Sequence, residues 1–163
     1  MGLLKETWEL FKLLFTKFKD SLEIRAFEHY PLSGYSAMSW CGVLVCHEKN
    51  LEKVKADEDT KRHETIHLYQ AKTGYRCWIG FYLSYFWNVL SGAVYGFSWD
   101  FGYCTSKFES EAYANEERPE YLESYGKDSI KKYNFSLSQR KKMWKECSGS
   151  RWKWKEMIKN YGV

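Results

Sequence analysis

Residues 77 to 99, "CWIGFYLSYFWNVLSGAVYGFSW", carry no charged side chain, and this run constrains the fold more than any other stretch. At 23 residues it is long enough to cross a bilayer as a helix, which takes about 20. Gly92 and Gly96 form a G-x-x-x-G pair suited to close helix packing, and Trp78 and Trp99 stand near its ends like interface anchors. Asn88, the serines and glycines and several tyrosines lower its apolarity. That pattern equally fits a buried core hairpin or a helix facing a groove.

The 163 residues suit a single domain with a real core, and no linker, repeat or low-complexity tract divides them. Residues 3 to about 19 read as an amphipathic helix, because Leu3, Leu4, Trp8, Phe11, Phe15 and Phe18 recur at spacings of three and four. This stripe is expected to pack on the core. Trp and Phe beside lysines would also suit a helix lying in a membrane interface. A Pro and a Gly then precede a β-leaning run, Trp40 to Cys46, which reads as a strand or hairpin. Acids at 57 to 59, a cap candidate at Thr60 and a stop at Gly74 bound a helix of roughly four turns. A further helix begins at Thr105 or Ser106 and ends before Pro119. The expected class is mainly α, or α+β with a small sheet.

Net charge is +4, which makes no strong case for nucleic acid, although residues 127–163 form a basic, Trp-rich C-terminal region. Five cysteines, odd in number and with no CxxC pair, argue against both a disulfide framework and a cysteine-built metal site. The N-terminus lacks the features of a secretory signal peptide, since acids and lysines interrupt its apolar residues. The expected location is cytoplasmic or membrane-associated.

The chemistry centres on "KRHETIHLYQ", residues 61 to 70. On a helix, residues four apart share a face, so the imidazoles of His63 and His67 can bind one zinc ion. Glu64 lies about 100° around the helix, near enough to take a proton from an attacking water without itself ligating the metal. The alternative is a polar helix face bearing two unrelated histidines. Glu109 has a bland reading too, because Ser106-x-x-Glu109 is a capping box.

His63-Glu64-Thr65-Ile66-His67 resembles the HExxH helix of zincin metallopeptidases, and Gln70 extends it to HExxHxxQ. Downstream, "FESEAYANE" (residues 108 to 116) resembles the glutamate helix of the gluzincin branch. The nearest likeness is to small bacterial proteins with HExxHxxQ followed by FExEAYxNE. The resemblance covers about residues 35 to 120, and its specific part is these two short motifs. It implies a zincin-like fold, zinc held by His63, His67 and Glu109 with Glu111 as runner-up, and Glu64 as general base. Tyr113 stands where such peptidases usually place an Asp that orients a histidine, so Gln70, Tyr113 and Asn115 are the supporting candidates. Tyr103 joins Tyr113 and Asn115 as a candidate to stabilise an oxyanion. Zincins also present an exposed strand to an extended peptide, and Trp40 to Cys46 is the candidate here.

The implied function is a zinc-dependent hydrolase, a small metallopeptidase acting on a peptide or protein substrate. The alternative is a non-catalytic zinc-binding, membrane-associated or interaction protein, whose partner would be a membrane surface or bilayer.

Overall fold

A computed structural model describes residues 2–31 and 37–161. The chain is mainly helical (66%) with a small three-stranded mixed sheet. It divides into two compact units, Met1–Gly80 and Phe81–Val163.

In the first unit, α1 (Leu3–Leu13) precedes β1 (Glu23–Phe27), β2 (Ala37–Trp40) and β3 (Val43–His47); α2 (Leu51–Ala56) and α3 (Glu58–Gly74) follow. The strand order is β1-β3-β2, with β1 parallel and β2 antiparallel to β3. The stretch expected as a strand or hairpin, Trp40 to Cys46, is a hairpin: β2 ends at Trp40, the chain turns at Cys41 and Gly42, and β3 begins at Val43. Cys41 and Gly42 both take positive φ, 53° and 75°, as a two-residue hairpin turn requires. Val43, Leu44, Val45 and Cys46 are wholly buried, as suits a central strand with an unbroken apolar run. Both edges of β3 are paired, so it is not available to a substrate peptide. Part of the preceding stretch, residues 32–36, lies outside the described residues.

Helix α1 departs from expectation in length and in facing. It stops at Leu13, and the turn beyond it is closed by the Thr16 hydroxyl, which donates to Leu13 O at 2.8 Å. Its buried residues are Glu6, Leu10 and Leu13, whereas Leu4, Trp8, Phe11 and Phe15 face solvent. The inversion has a cause in Glu6, only 1% exposed, whose two carboxylate oxygens accept the backbone N–H groups of Glu28 and His29, each at 3.0 Å. These bonds tie α1 to the chain leaving β1. Trp40 adds a second tie, its indole N–H donating to Leu10 O at 2.8 Å.

In the second unit, α4 (Trp78–Gly96, begun in the first) carries the uncharged run and is followed by α5 (Trp99–Cys104), α6 (Lys107–Asn115), α7 (Leu137–Glu146) and α8 (Arg151–Tyr161). No helix among the described residues is long and apolar enough to cross a membrane. The glycine pair has another use. A Cβ on Gly92 would collide with Arg140 and come within 2.9 Å of Gly102 Cα, and one on Gly96 would strike the Phe101 ring. Gly102 answers from α5, where a Cβ would strike the backbone of Val89 and Ala93. The glycines thus let α4 and α5 touch backbone to backbone, as in close-packed helix pairs elsewhere. Arg140 fills the space at Gly92; its Nε donates to the Thr105 hydroxyl at 2.8 Å and Nη2 to Gly102 O at 3.1 Å.

The core of this unit gathers Cys104, Tyr113, Ala114, Tyr133, Cys147, Trp154 and Ile158. The basic C-terminal region therefore turns Trp154 inward, while Trp152 stays 70% exposed. All five thiols are free; Cys41, Cys46, Cys104 and Cys147 are buried and Cys77 is exposed.

Two outcomes follow from these contacts. Gly102→Ala should destabilise the chain by about 1–3 kcal/mol in denaturant titrations. Gly126→Ala, where nothing lies within 4 Å of the added Cβ, should stay within about 0.5 kcal/mol of wild type. Burial raises the Glu6 carboxyl, but the N–H groups of Glu28 and His29 and the His29 ring outweigh it and hold the group below its ordinary 4.5. Its stabilising effect is therefore complete above pH 4.5 and is lost as pH falls through the depressed value. Glu6→Gln should lower Tm at neutral pH and flatten the acid limb of a Tm-versus-pH curve.

Candidate metal centre

Helix α3 begins at Asp57, whose carboxylate accepts the Thr60 N–H at 2.9 Å and the Thr60 hydroxyl at 2.8 Å. Asp57 is thus the cap, and the expected cap Thr60 is its partner. That amide bond, foremost, keeps the Asp57 carboxyl below its ordinary value, burial notwithstanding. Pairs of Lys61 with Glu58 and Arg62 with Asp59 close the first turns, and the helix ends at Gly74 as expected.

Within this frame the four-residue spacing brings His63 and His67 together. Their rings stand nearly perpendicular, at 81°, and the two Nε2 atoms are 3.2 Å apart. His63 is buried and His67 half-buried. Gln70, 2% exposed, holds the far side of His67, with Nδ1 and Gln70 Oε1 at 2.8 Å. An amide oxygen only accepts, so this contact places the proton on Nδ1 and leaves the Nε2 lone pair directed toward His63. Two nitrogens bound to one tetrahedral zinc at about 2.0–2.1 Å would lie roughly 3.3 Å apart. The observed separation fits that requirement. Glu64, the next residue along, is partly exposed.

In the second unit α6 is buried from Phe108 through Asn115, though it carries two carboxylates. Ser106 caps it, Oγ accepting the Glu109 N–H at 3.3 Å, and Asn88 of α4 takes the Lys107 N–H at 3.1 Å. The Glu109 carboxylate meanwhile accepts the Tyr85 hydroxyl at 2.6 Å, so capping by Ser106 does not keep this side chain at the helix end. Glu111 accepts the Tyr121 hydroxyl at 2.6 Å. Asn115 donates to Glu111 O at 2.7 Å and to the Tyr133 hydroxyl at 3.0 Å, which makes it a brace of α6. Tyr113 accepts from Arg151 at 3.0 Å, and Lys155 lies 4.0 Å from its ring centroid. Burial, with the Glu109 charge behind it, pushes the Tyr85 and Tyr113 phenols far up; Tyr121 is raised by burial and by Glu111. All three stay protonated and serve as donors or dipoles.

His63 and His67 of the first unit offer two ligand nitrogens, and Glu109 of the second unit offers a carboxylate. Glu6, Glu28 and His29 cluster, but there Glu6 serves the backbone tie already described. Sequence reasoning did not single out Tyr85, Tyr121 or Arg151. Their only signal is that tyrosines interrupt an otherwise apolar run and a turn, where a buried phenol needs a partner. Comparison with protein-family models, curated proteins and solved structures finds no match.

Gln70→Leu removes the acceptor that orients His67 while keeping a side chain of similar size. If the histidine pair holds zinc, this variant should bind it about 10- to 100-fold more weakly in competition against a chromogenic chelator.

Proposed function

We propose that the chain is a zinc-dependent hydrolase of the peptidase type, with His63, His67 and Glu109 as metal ligands and Glu64 as general base. The observation that carries this reading is the histidine pair itself, two Nε2 atoms 3.2 Å apart with the proton of His67 committed to Gln70. Two imidazole nitrogens held this close share either a proton or a cation, and a zinc ion fits the spacing. Glu109 supplies the negative charge such a site needs, and the Tyr85 hydroxyl orients its carboxylate.

When bound, zinc lowers the pKa of a ligating water toward about 7 and polarises a carbonyl oxygen. The residues of the chain do the rest. Glu64 follows His63 directly and points about 100° around the helix from it, so its carboxylate can take the proton that the attacking water gives up. It then returns that proton to the departing amine. Arg151, which donates to Tyr113 and lies 5.2 Å from the Tyr103 ring centroid, stays charged and, with Lys155, sets a positive charge beside Tyr113.

A non-catalytic zinc protein is the second reading, and Tyr113 favours it. A phenol engaged by Arg151 and Lys155 replaces the acid that orients a proton donor in the gluzincins the sequence resembles.

Metal analysis and peptide hydrolysis together separate these readings. Wild type should hold one zinc per chain, and His63→Ala and Glu109→Ala should each lose it. Glu64→Gln should keep the metal but lose at least about 100-fold in hydrolysis of a casein-type substrate. Wild type without stoichiometric zinc overturns the proposal. Zinc-loaded wild type with no hydrolysis leaves the second reading in its place.

A further inference from the structure

Helix α1 buries Glu6 with two leucines and leaves its aromatic residues outside. Glu6, Leu10 and Leu13 turn inward, while Leu4 is 86% exposed, Trp8 58%, Phe11 45% and Phe15 67%. The outward residues, at spacings of four, three and four, form one stripe along the helix and the turn after it. They are organised rather than loose: the Trp8 and Phe11 rings stack at 5.5 Å, and Phe11 meets Phe15 edge-on at 5.3 Å. Lys5, Lys12 and Lys17 are exposed beside the stripe, with Lys12 also holding Glu9 at 2.7 Å.

We propose that α1 is an interfacial anchor for an anionic lipid surface. Leu4, Trp8, Phe11 and Phe15 enter the boundary between headgroups and acyl chains, and Lys5, Lys12 and Lys17 meet the headgroup phosphates and carboxylates. Three observations favour lipid over a protein partner. The stripe is one helix wide and is flanked by exposed lysines, whose charge complements anionic headgroups. Its aromatic and leucine content with flanking lysines is the composition of helices that lie in the membrane plane. Its exposed area is on the order of 500 Å², short of the roughly 800 Å² per partner of a stable protein interface. The inference is independent of the metal centre, since no residue of α1 belongs to it.

Flotation of the purified full-length chain with vesicles provides the test. With phosphatidylcholine vesicles containing phosphatidylserine, wild type should float, and less so as salt is raised. Trp8→Ala with Phe11→Ala should reduce partitioning by about 100-fold. Lys5→Gln with Lys12→Gln and Lys17→Gln should cut the preference for phosphatidylserine by about fivefold per lysine while sparing the weaker binding to phosphatidylcholine alone. Because these side chains face away from Leu10 and Leu13, each variant should keep the wild-type Tm. Phe15→Glu, beyond the last helical residue, is the second variant should the double alanine variant unfold, and it too should stay off the vesicles. The proposal is overturned if wild type floats with neither vesicle, or if Phe15→Glu floats as well as wild type. It is equally overturned if wild type ignores lipid but sediments as a dimer that Trp8→Ala with Phe11→Ala dissociates, which assigns the stripe to a second copy.

Discussion

A buried carboxylate costs several kcal/mol unless hydrogen bonds and charge meet it, and helix α6 buries two. Glu109 and Glu111 are 1% and 0% exposed on a helix whose last eight residues all lie inside. Much of the second unit can be understood as the means of meeting that cost. Tyr85 comes from α4 and Tyr121 from the turn after α6, each bringing a hydroxyl to 2.6 Å of its acid. Tyr85, one of the tyrosines that make the uncharged run less apolar, thus lets that run serve a polar neighbour. The glycines of the same run are given to contact with α5 and to the buried Arg140, whose guanidinium burial lowers to about 10.

The first unit meets its own buried acid by a different route. Glu6 is satisfied by two backbone amides rather than by phenols, and that choice fixes the orientation of the entire N-terminal helix. A carboxylate that must reach the start of a loop dictates which face turns inward, whatever the apolar pattern prefers. The histidines of α3 illustrate a third device, in which one side chain, Gln70, selects the tautomer of another.

Legibility in the sequence tracked how local each determinant is. Helix α3 was readable almost to the residue, because acids at its start and a glycine at its end act within one turn; only the cap moved, from Thr60 to Asp57. His63 and His67 followed from helical spacing alone. The parallel pairing of β1 with β3 was invisible, since it joins residues twenty apart with nothing local to mark it. The facing of α1 was misread because apolar periodicity records which residues share a side, not which side is inward. The separation of Glu109 from Glu111 was half legible: the two differ by about 200° around a helix, which shows that they part company but not which partner each will find. Trp154 was similarly hidden, a core residue set among lysines that keep their own charges in water.

The distribution of sulfur in the chain has a practical side. Four of the five thiols are buried, and burial raises Cys46 and Cys147 and pushes Cys104 up to about 11, so little of the reactive thiolate forms there at neutral pH. Cys77 alone is exposed, immediately before the first residue of α4. A maleimide dye or spin label added to the unmodified protein would therefore attach at one address, in the short connection between α3 and the uncharged helix. The natural chain already contains its own single-site reporter.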